Sequence, residues 1–198
     1  MKIPHPSTIY KQIYAECQPY WHVRDNGIHV PKAYRFAQQL LTFYPQADPM
    51  IVLSAILLHD NGYANVPPES QFDGLIGSPV HYQEDIVRLH EVEGAKIARQ
   101  ILTALSFDPS KIEIICEIID GHDSRTYALS LEDELVKDAD KLWRYSAVGV
   151  QTAGVGWMKQ SPDTFLEFCV SKIDVWFFTP EAKKIARVAA FKTGEMFE

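Results

Sequence analysis

The hydrophobic and polar positions of this chain repeat with a helical period. Between 84 and 105, Ile86, Leu89, Val92, Ile97, Ile101 and Leu105 recur every three to five residues, with charged residues between them. That spacing marks one face of an amphipathic helix. Ile112, Ile115, Ile118 and Ile119 continue the pattern over 111–119. MIVLSAILL at 50–58 is instead a continuous apolar run. It should be buried, and it is too short to span a bilayer. Strand-like alternation with a hairpin turn is not found.

Punctuation supports the same reading. Asp48-Pro49, Asp108-Pro109, Ser161-Pro162 and Thr179-Pro180 each place an N-cap residue before a proline suited to the first helical turn. Ser130 with Asp133 gives a weaker start of capping-box type. The pattern predicts helices at 7–16, 29–43, 49–60, 83–105, 109–121, 131–158 (interrupted near Gly154), 162–176 and 180–196. The expected class is all-α, a helical bundle. Residues 1–20 read as an N-terminal helical extension, and 21–198 as one domain with its C-terminal helices packed on it. The segment 61–80, NGYANVPPESQFDGLIGSPV, reads as the one long irregular loop. Loops of that length in compact domains are often functional.

Composition narrows the function classes. With 198 residues, 46% hydrophobic and 23% charged, the chain can bury a sizeable core and is not disordered. A net charge of -7 repels phosphate backbones, so neither nucleic-acid binding nor a membrane partner is expected. A small phosphorylated ligand stays open, because a bound cation can reverse the local field. Cys17, Cys116 and Cys169 are odd in number and form no CxxC pair. They read as reduced, mostly core residues of a cytoplasmic protein. MKIPHPSTIYKQIY at the N-terminus has no apolar signal-peptide core. A homo-oligomer is left open.

Polar residues supply the candidate chemistry. His5, His22 and His81 lie in the N-terminal region and the loop. His29, His59, His90 and His122 are separated by 30, 31 and 32 residues, each in or at the end of a different predicted helix. In an antiparallel bundle such spacing can return all four to one region. Asp60 follows His59 at the end of the buried run, and a buried carboxylate needs a partner. A divalent cation meets that need best. Asp140 lies in LVKDADKLWR, where Leu135, Ala139, Leu142 and Trp143 share a face, so acids again sit among apolar residues. Imidazoles and carboxylates without thiolates suit Mn, Fe, Co, Ni or Zn, or Mg with more oxygen ligands.

The ordered set of His29, His59-Asp60, His90, His122 and Asp140 resembles the HD-domain superfamily of metal-dependent phosphohydrolases. HEVEGAKIARQIL at 90–102, IIDGH at 118–122, VKDADKLWRYSAVGV at 136–150 and FFTPEAKKIARVAAFKTGEMF at 177–197 look like the small bacterial HD hydrolases. The likeness runs from about residue 20 to 197. It implies a metal site between helices, with one ion held by His29, His59, Asp60 and Asp140. Asp140 is preferred because it is the acid of ADKL. Asp138 lies about 200° round the helix, where it reads as an exposed acid or a partner of a ligand. The resemblance further implies that His90 and His122 bind a second ion or line the pocket and contact phosphate or water. Gly94, four residues after His90, would let another backbone or a ligand approach. Asp123 could orient an imidazole or hold a proton, and otherwise is solvated. Lys32, Arg125, Lys141 and Arg144 are candidates to neutralise substrate charge. Tyr63 would bind ligand or pack under the loop.

The expected function is hydrolysis of a small phosphorylated molecule, a nucleotide first of all, by metal-activated water. Asp60, His90 and His122 would be the catalytic groups, and the loop 61–80 would cover the pocket. In the alarmone hydrolases and deoxynucleoside 5'-monophosphatases a glutamate lies three residues after the HD aspartate. Here that position is Tyr63, so their substrates do not carry over. The cyclic-dinucleotide phosphodiesterases carry GYP further along, whereas GY here follows the HD pair after one residue. Two alternatives are an HD-fold di-iron oxygenase using the same six ligands and a metal-binding regulatory module without turnover.

Overall fold

The computed structural model describes residues 6–73 and 83–197. Its helices are α1 (Pro6–Cys17), α2 (Asn26–Leu41), α3 (Pro49–Leu58), α4 (Glu84–Ala104), α5 (Pro109–Ile119), α6 (Leu131–Leu142), the single turn α7 (Ala147–Gly149), α8 (Pro162–Trp176) and α9 (Pro180–Gly194). There is no strand among the described residues. None of the described helices is long and apolar enough to cross a membrane.

Each of the five predicted start signals caps a helix. Asp48 Oδ1 accepts from Met50 N at 2.8 Å and Asp108 Oδ1 from Ser110 N at 2.8 Å. Ser130, Ser161 and Thr179 accept from the amides of Asp133, Thr164 and Ala182. Each cap satisfies an amide that the helix itself cannot.

The apolar run becomes α3, the centre of the molecule. Ile51 to Leu58 are all buried, and α1, α2, α5 and α6 pack around them. Ile51, Val52 and Ile56 are β-branched and cost a few tenths of a kcal/mol each in helix propensity. Burial of each side chain contributes about 1.5–3 kcal/mol, so tertiary contact decides. Ile9, Ile13 and Cys17 of α1 and Ala182, Ala186 and Ala190 of α9 belong to the same core. All three cysteines are buried and free.

Three expectations are corrected. The third helix ends at Leu58 rather than 60, leaving His59 and Asp60 in the turn after it. The long helix over 131–158 breaks at Trp143–Ser146, not near Gly154. Ser146 is extended (φ -89°, ψ 154°) and its hydroxyl accepts from Gly149 N, starting a new turn. The chain continues as a π-helical segment, Val150–Trp157, where Gly154 meets the ring of Phe165. The irregular loop begins with two short 3₁₀ turns, Asn61–Asn65 and Pro68–Ser70. Residues 74–80, His5 and His81 lie outside the described residues.

Candidate metal centre

Five elements deliver polar side chains to one point. His29 comes from α2 and His90 from α4. His59 and Asp60 follow the end of α3, His122 and Asp123 follow the end of α5, and Asp140 belongs to α6. Helix ends suit this task, because their backbone groups are free to orient side chains. Arg24 and Asp25, just before α2, hold left-handed backbone (φ 50° and 52°), which non-glycine residues adopt seldom. The bend starts α2 where Asn26 Nδ2 donates to the Asp60 carbonyl at 3.2 Å.

The imidazoles converge through Nε2. His29 Nε2 lies 2.9 Å from His59 Nε2, and His90 Nε2 lies 3.4 Å from His122 Nε2. Asp140 Oδ1 is 3.2 Å from His29 Nε2 and 3.5 Å from His59 Nε2. Asp60 joins the two pairs. Its Oδ2 is 3.4 Å from His29 Nε2, and its Oδ1 is 3.6 Å from His59 Nε2 and 3.5 Å from His122 Nε2. Asp123 Oδ2 stands 3.8 Å from both His90 and His122. All four imidazoles are at least 97% buried.

Two tautomers follow from chemistry. His59 Nδ1 is 2.8 Å from the Ile56 carbonyl and His122 Nδ1 is 2.9 Å from the Ile119 carbonyl. A carbonyl only accepts, so each Nδ1 carries hydrogen and each neutral Nε2 presents a lone pair inward. Ligand histidines are commonly oriented by such an outer hydrogen bond. Lone pairs and carboxylate oxygens facing one another repel unless a proton or cation lies between them. The donor set of imidazole nitrogen and carboxylate oxygen therefore fits a divalent cation. His29, His59 and Asp140 form one group able to hold an ion; His59, Asp60 and His122, and His90, His122 and Asp123, form two more.

Ionisation shows how the metal-free site balances itself. Burial works against the charge on Asp60, yet His59, His122, His29 and His90 hold its carboxyl well below the usual range. Burial likewise opposes the charge on Asp140, and Arg144, Lys141, His29 and His59 outweigh it. Burial pushes His90 down to about 4, helped by His122. Burial also disfavours the His122 cation, but Asp123, Asp60 and Glu91 raise that group to about 9. A proton on His122 thus supplies positive charge when no ion does.

The candidate substrate contacts divide. Lys141 Nζ stands 3.4 Å from Asp123 Oδ1 and 3.5 Å from Asp140 Oδ2. Arg144 Nη1 stands 3.8 Å from Asp140 Oδ2 and lines the pocket over the cluster. Tyr63, 1% exposed, stacks on His90 with centroids 4.0 Å apart and planes 12° apart. Lys32 does not reach the pocket. Three residues past His29, it turns outward and its Nζ rests 5.7 Å from the Phe36 ring. Arg125 is held elsewhere by buried Asp133, 2.8 Å from its Nη2. His22 is exposed and bonds the Pro19 carbonyl.

Asp138 is neither exposed nor near the cluster. It is fully buried and accepts from Phe178 N at 2.8 Å, Thr179 N at 3.0 Å and Thr179 Oγ1 at 2.6 Å, fastening the start of α9. Asp123 is not simply solvated, since it faces His90, His122 and Lys141. Gly94 admits backbone rather than ligand: a Cβ there would lie 2.9 Å from the His59 carbonyl.

Sequence reasoning missed several residues. Glu91, fully buried, accepts from the amides of Asp123 and Ser124 at 2.8 Å each and fixes the turn carrying His122. Lys137, 1% exposed, donates to the carbonyls of Gly121, His122 and Arg125 from the other side. Arg24, Trp143 and Trp157 line the pocket. Periodicity carries no signal for a charged residue that turns inward to meet backbone.

Against known proteins, the family model for the HD domain matches residues 27–145, more than half of the chain. The match spans α2 to the turn after α6 and so contains every residue of the cluster. No curated protein matches the chain.

Proposed function

The chain belongs to the HD-domain family, whose members are generally metal-dependent phosphohydrolases, and from that premise we propose that it hydrolyses a small phosphorylated molecule, first of all a nucleotide. One observation carries the reading: a cluster of inward lone pairs and carboxylates lies directly beneath a pocket edged by the cation Arg144, with Lys141 set against the pocket carboxylates Asp123 and Asp140. Those cations favour an anionic substrate.

His29, His59, Asp60 and Asp140 would hold one divalent ion, with Mn, Fe, Co, Ni, Zn or Mg as candidates. His90, His122 and Asp123 would hold a second where one binds. The ion, when bound, supplies Lewis acidity and brings the pKa of a bound water toward about 7. Asp60, with an oxygen toward each imidazole pair, takes the proton from the attacking water. Arg144 and Lys141 neutralise charge that grows on the phosphoryl oxygens. Trp143 and Trp157, with ring centroids 5.5 Å apart, exclude bulk water from the pocket.

The test is elemental analysis of anaerobically purified protein beside a nucleotide and phosphoester panel. Metal-dependent release of phosphate or pyrophosphate, lost in Asp60→Ala, is expected. Equal turnover by the metal-free protein or by Asp60→Ala ends the proposal. A coloured iron protein that consumes oxygen without releasing phosphate supports the oxygenase instead.

A further inference from the structure

Arg24 is 8% exposed and lines the same pocket as Asp60, Asp140 and Arg144. Its guanidinium lies 3.7 Å from the centroid of Tyr63, which stacks in turn on His90. The ring of Trp157 lies 5.3 Å away. Stacking of this kind satisfies the faces of a guanidinium and leaves its rim of N–H donors unused. Nε and Nη1 are buried and have no hydrogen-bond partner. No carboxylate of a described residue pairs with the group, and the adjacent Asp25 is committed to Trp157 Nε1 at 2.9 Å. A buried guanidinium stays charged, and a buried charge without a partner is unfavourable. Its left-handed backbone (φ 50°) adds a second cost at the same residue. Strain and unpaired donors gathered on a pocket wall are typical of a ligand-binding position.

We propose that Arg24 is the anion receptor of this pocket, and that its free N–H groups bind phosphate oxygens of the substrate while Tyr63 and Trp157 hold it in place. The proposal rests on the phosphohydrolase reading for its ligand class and names a residue which that reading does not require. Arg144 and Lys141 are already engaged with Asp140 and Asp123. Of the two cations among the described residues that line the pocket, Arg24 is therefore the one with buried donors, Nε and Nη1, that lack a protein acceptor.

Inorganic phosphate is the probe, titrated by calorimetry into metal-loaded wild type, Arg24→Met and Arg24→Lys. Arg24→Met should bind phosphate at least tenfold more weakly at unchanged metal content, and Arg24→Lys should recover part of the loss. For any phosphoester that is turned over, KM should rise more than kcat falls. A phosphate Kd within twofold of wild type in Arg24→Met overturns the proposal. Should that variant lose its fold or its metal, the wild type decides: phosphate added to the zinc-loaded protein should shift the Arg24 Nε–H resonance, and no shift overturns it. Phosphate binding through Arg24 without turnover on any phosphoester keeps this inference and removes the hydrolase reading. Turnover with phosphate binding indifferent to Arg24 does the reverse.

Discussion

His29 and His59 aim their Nε2 atoms at one another across 2.9 Å, and the Nδ1 of His59 is committed to the Ile56 carbonyl. The lone pair of His59 Nε2 must face either an N–H of His29 or a cation, and a cation engages Asp140 as well. Stoichiometric divalent metal should therefore stabilise the fold. At a free concentration of one hundred times Kd the gain is about 2.7 kcal/mol, or roughly 5–10 °C in Tm for a domain of this size. Chelation should reverse it, and His59→Ala should show no metal-dependent rise. A rise of equal size in His59→Ala would place the ion elsewhere.

Asp138 and Asp140, two residues apart on α6, should separate cleanly. Asp140→Asn should abolish metal loading with little loss of fold. Asp138→Asn should load metal normally but lose about 1–3 kcal/mol in denaturant melts, because a carboxylate accepting two amides and a hydroxyl is replaced. If Asp138→Asn is the variant that loses the metal, the assignment of the two acids is reversed.

The pH dependence follows from His122. Its folded value, about 9, lies above the ordinary 6.5. In the metal-free protein the stability it contributes is complete below about pH 6.5 and is lost as pH rises through about 9. Metal-free Tm should fall over that window, and His122→Asn should flatten the slope. A second ion, held by His90, His122 and Asp123, competes with the same proton, so its affinity should climb as pH rises toward about 9, with proton release visible by calorimetry in two buffers. Affinity independent of pH in that range would contradict this.

Gly62 sets how closely the turn carrying Asp60 approaches α4. A Cβ there would lie 1.9 Å from the His90 carbonyl and 2.5 Å from Gly94 N. Gly62→Ala should cost about 1–3 kcal/mol or more by overpacking and should weaken metal binding by separating Asp60 from His90. Gly194→Ala, with nothing within 4 Å at the end of α9, is the control and should cost no stability and leave metal affinity unchanged. Normal metal affinity in Gly62→Ala would show that this approach does not position the site.

The sequence by itself determined the helical class, the five caps and the identity of the polar residues that meet. Caps and periodicity are local, so adjacent residues are enough to read them. His29, His59, His90, His122 and Asp140 were legible because their order and spacing resemble a family pattern. Tertiary structure alone decided that Lys32 and Arg125 turn away, that Asp138 fastens α9, and that Glu91, Lys137 and Arg24 point inward. The inward charges depend on partners far along the chain, an amide, a carbonyl or an aromatic face, whereas Lys32 rests on Phe36 one turn away and Arg125 on nearby Asp133. A buried charge is placed by the group that satisfies it, and no local pattern names that group.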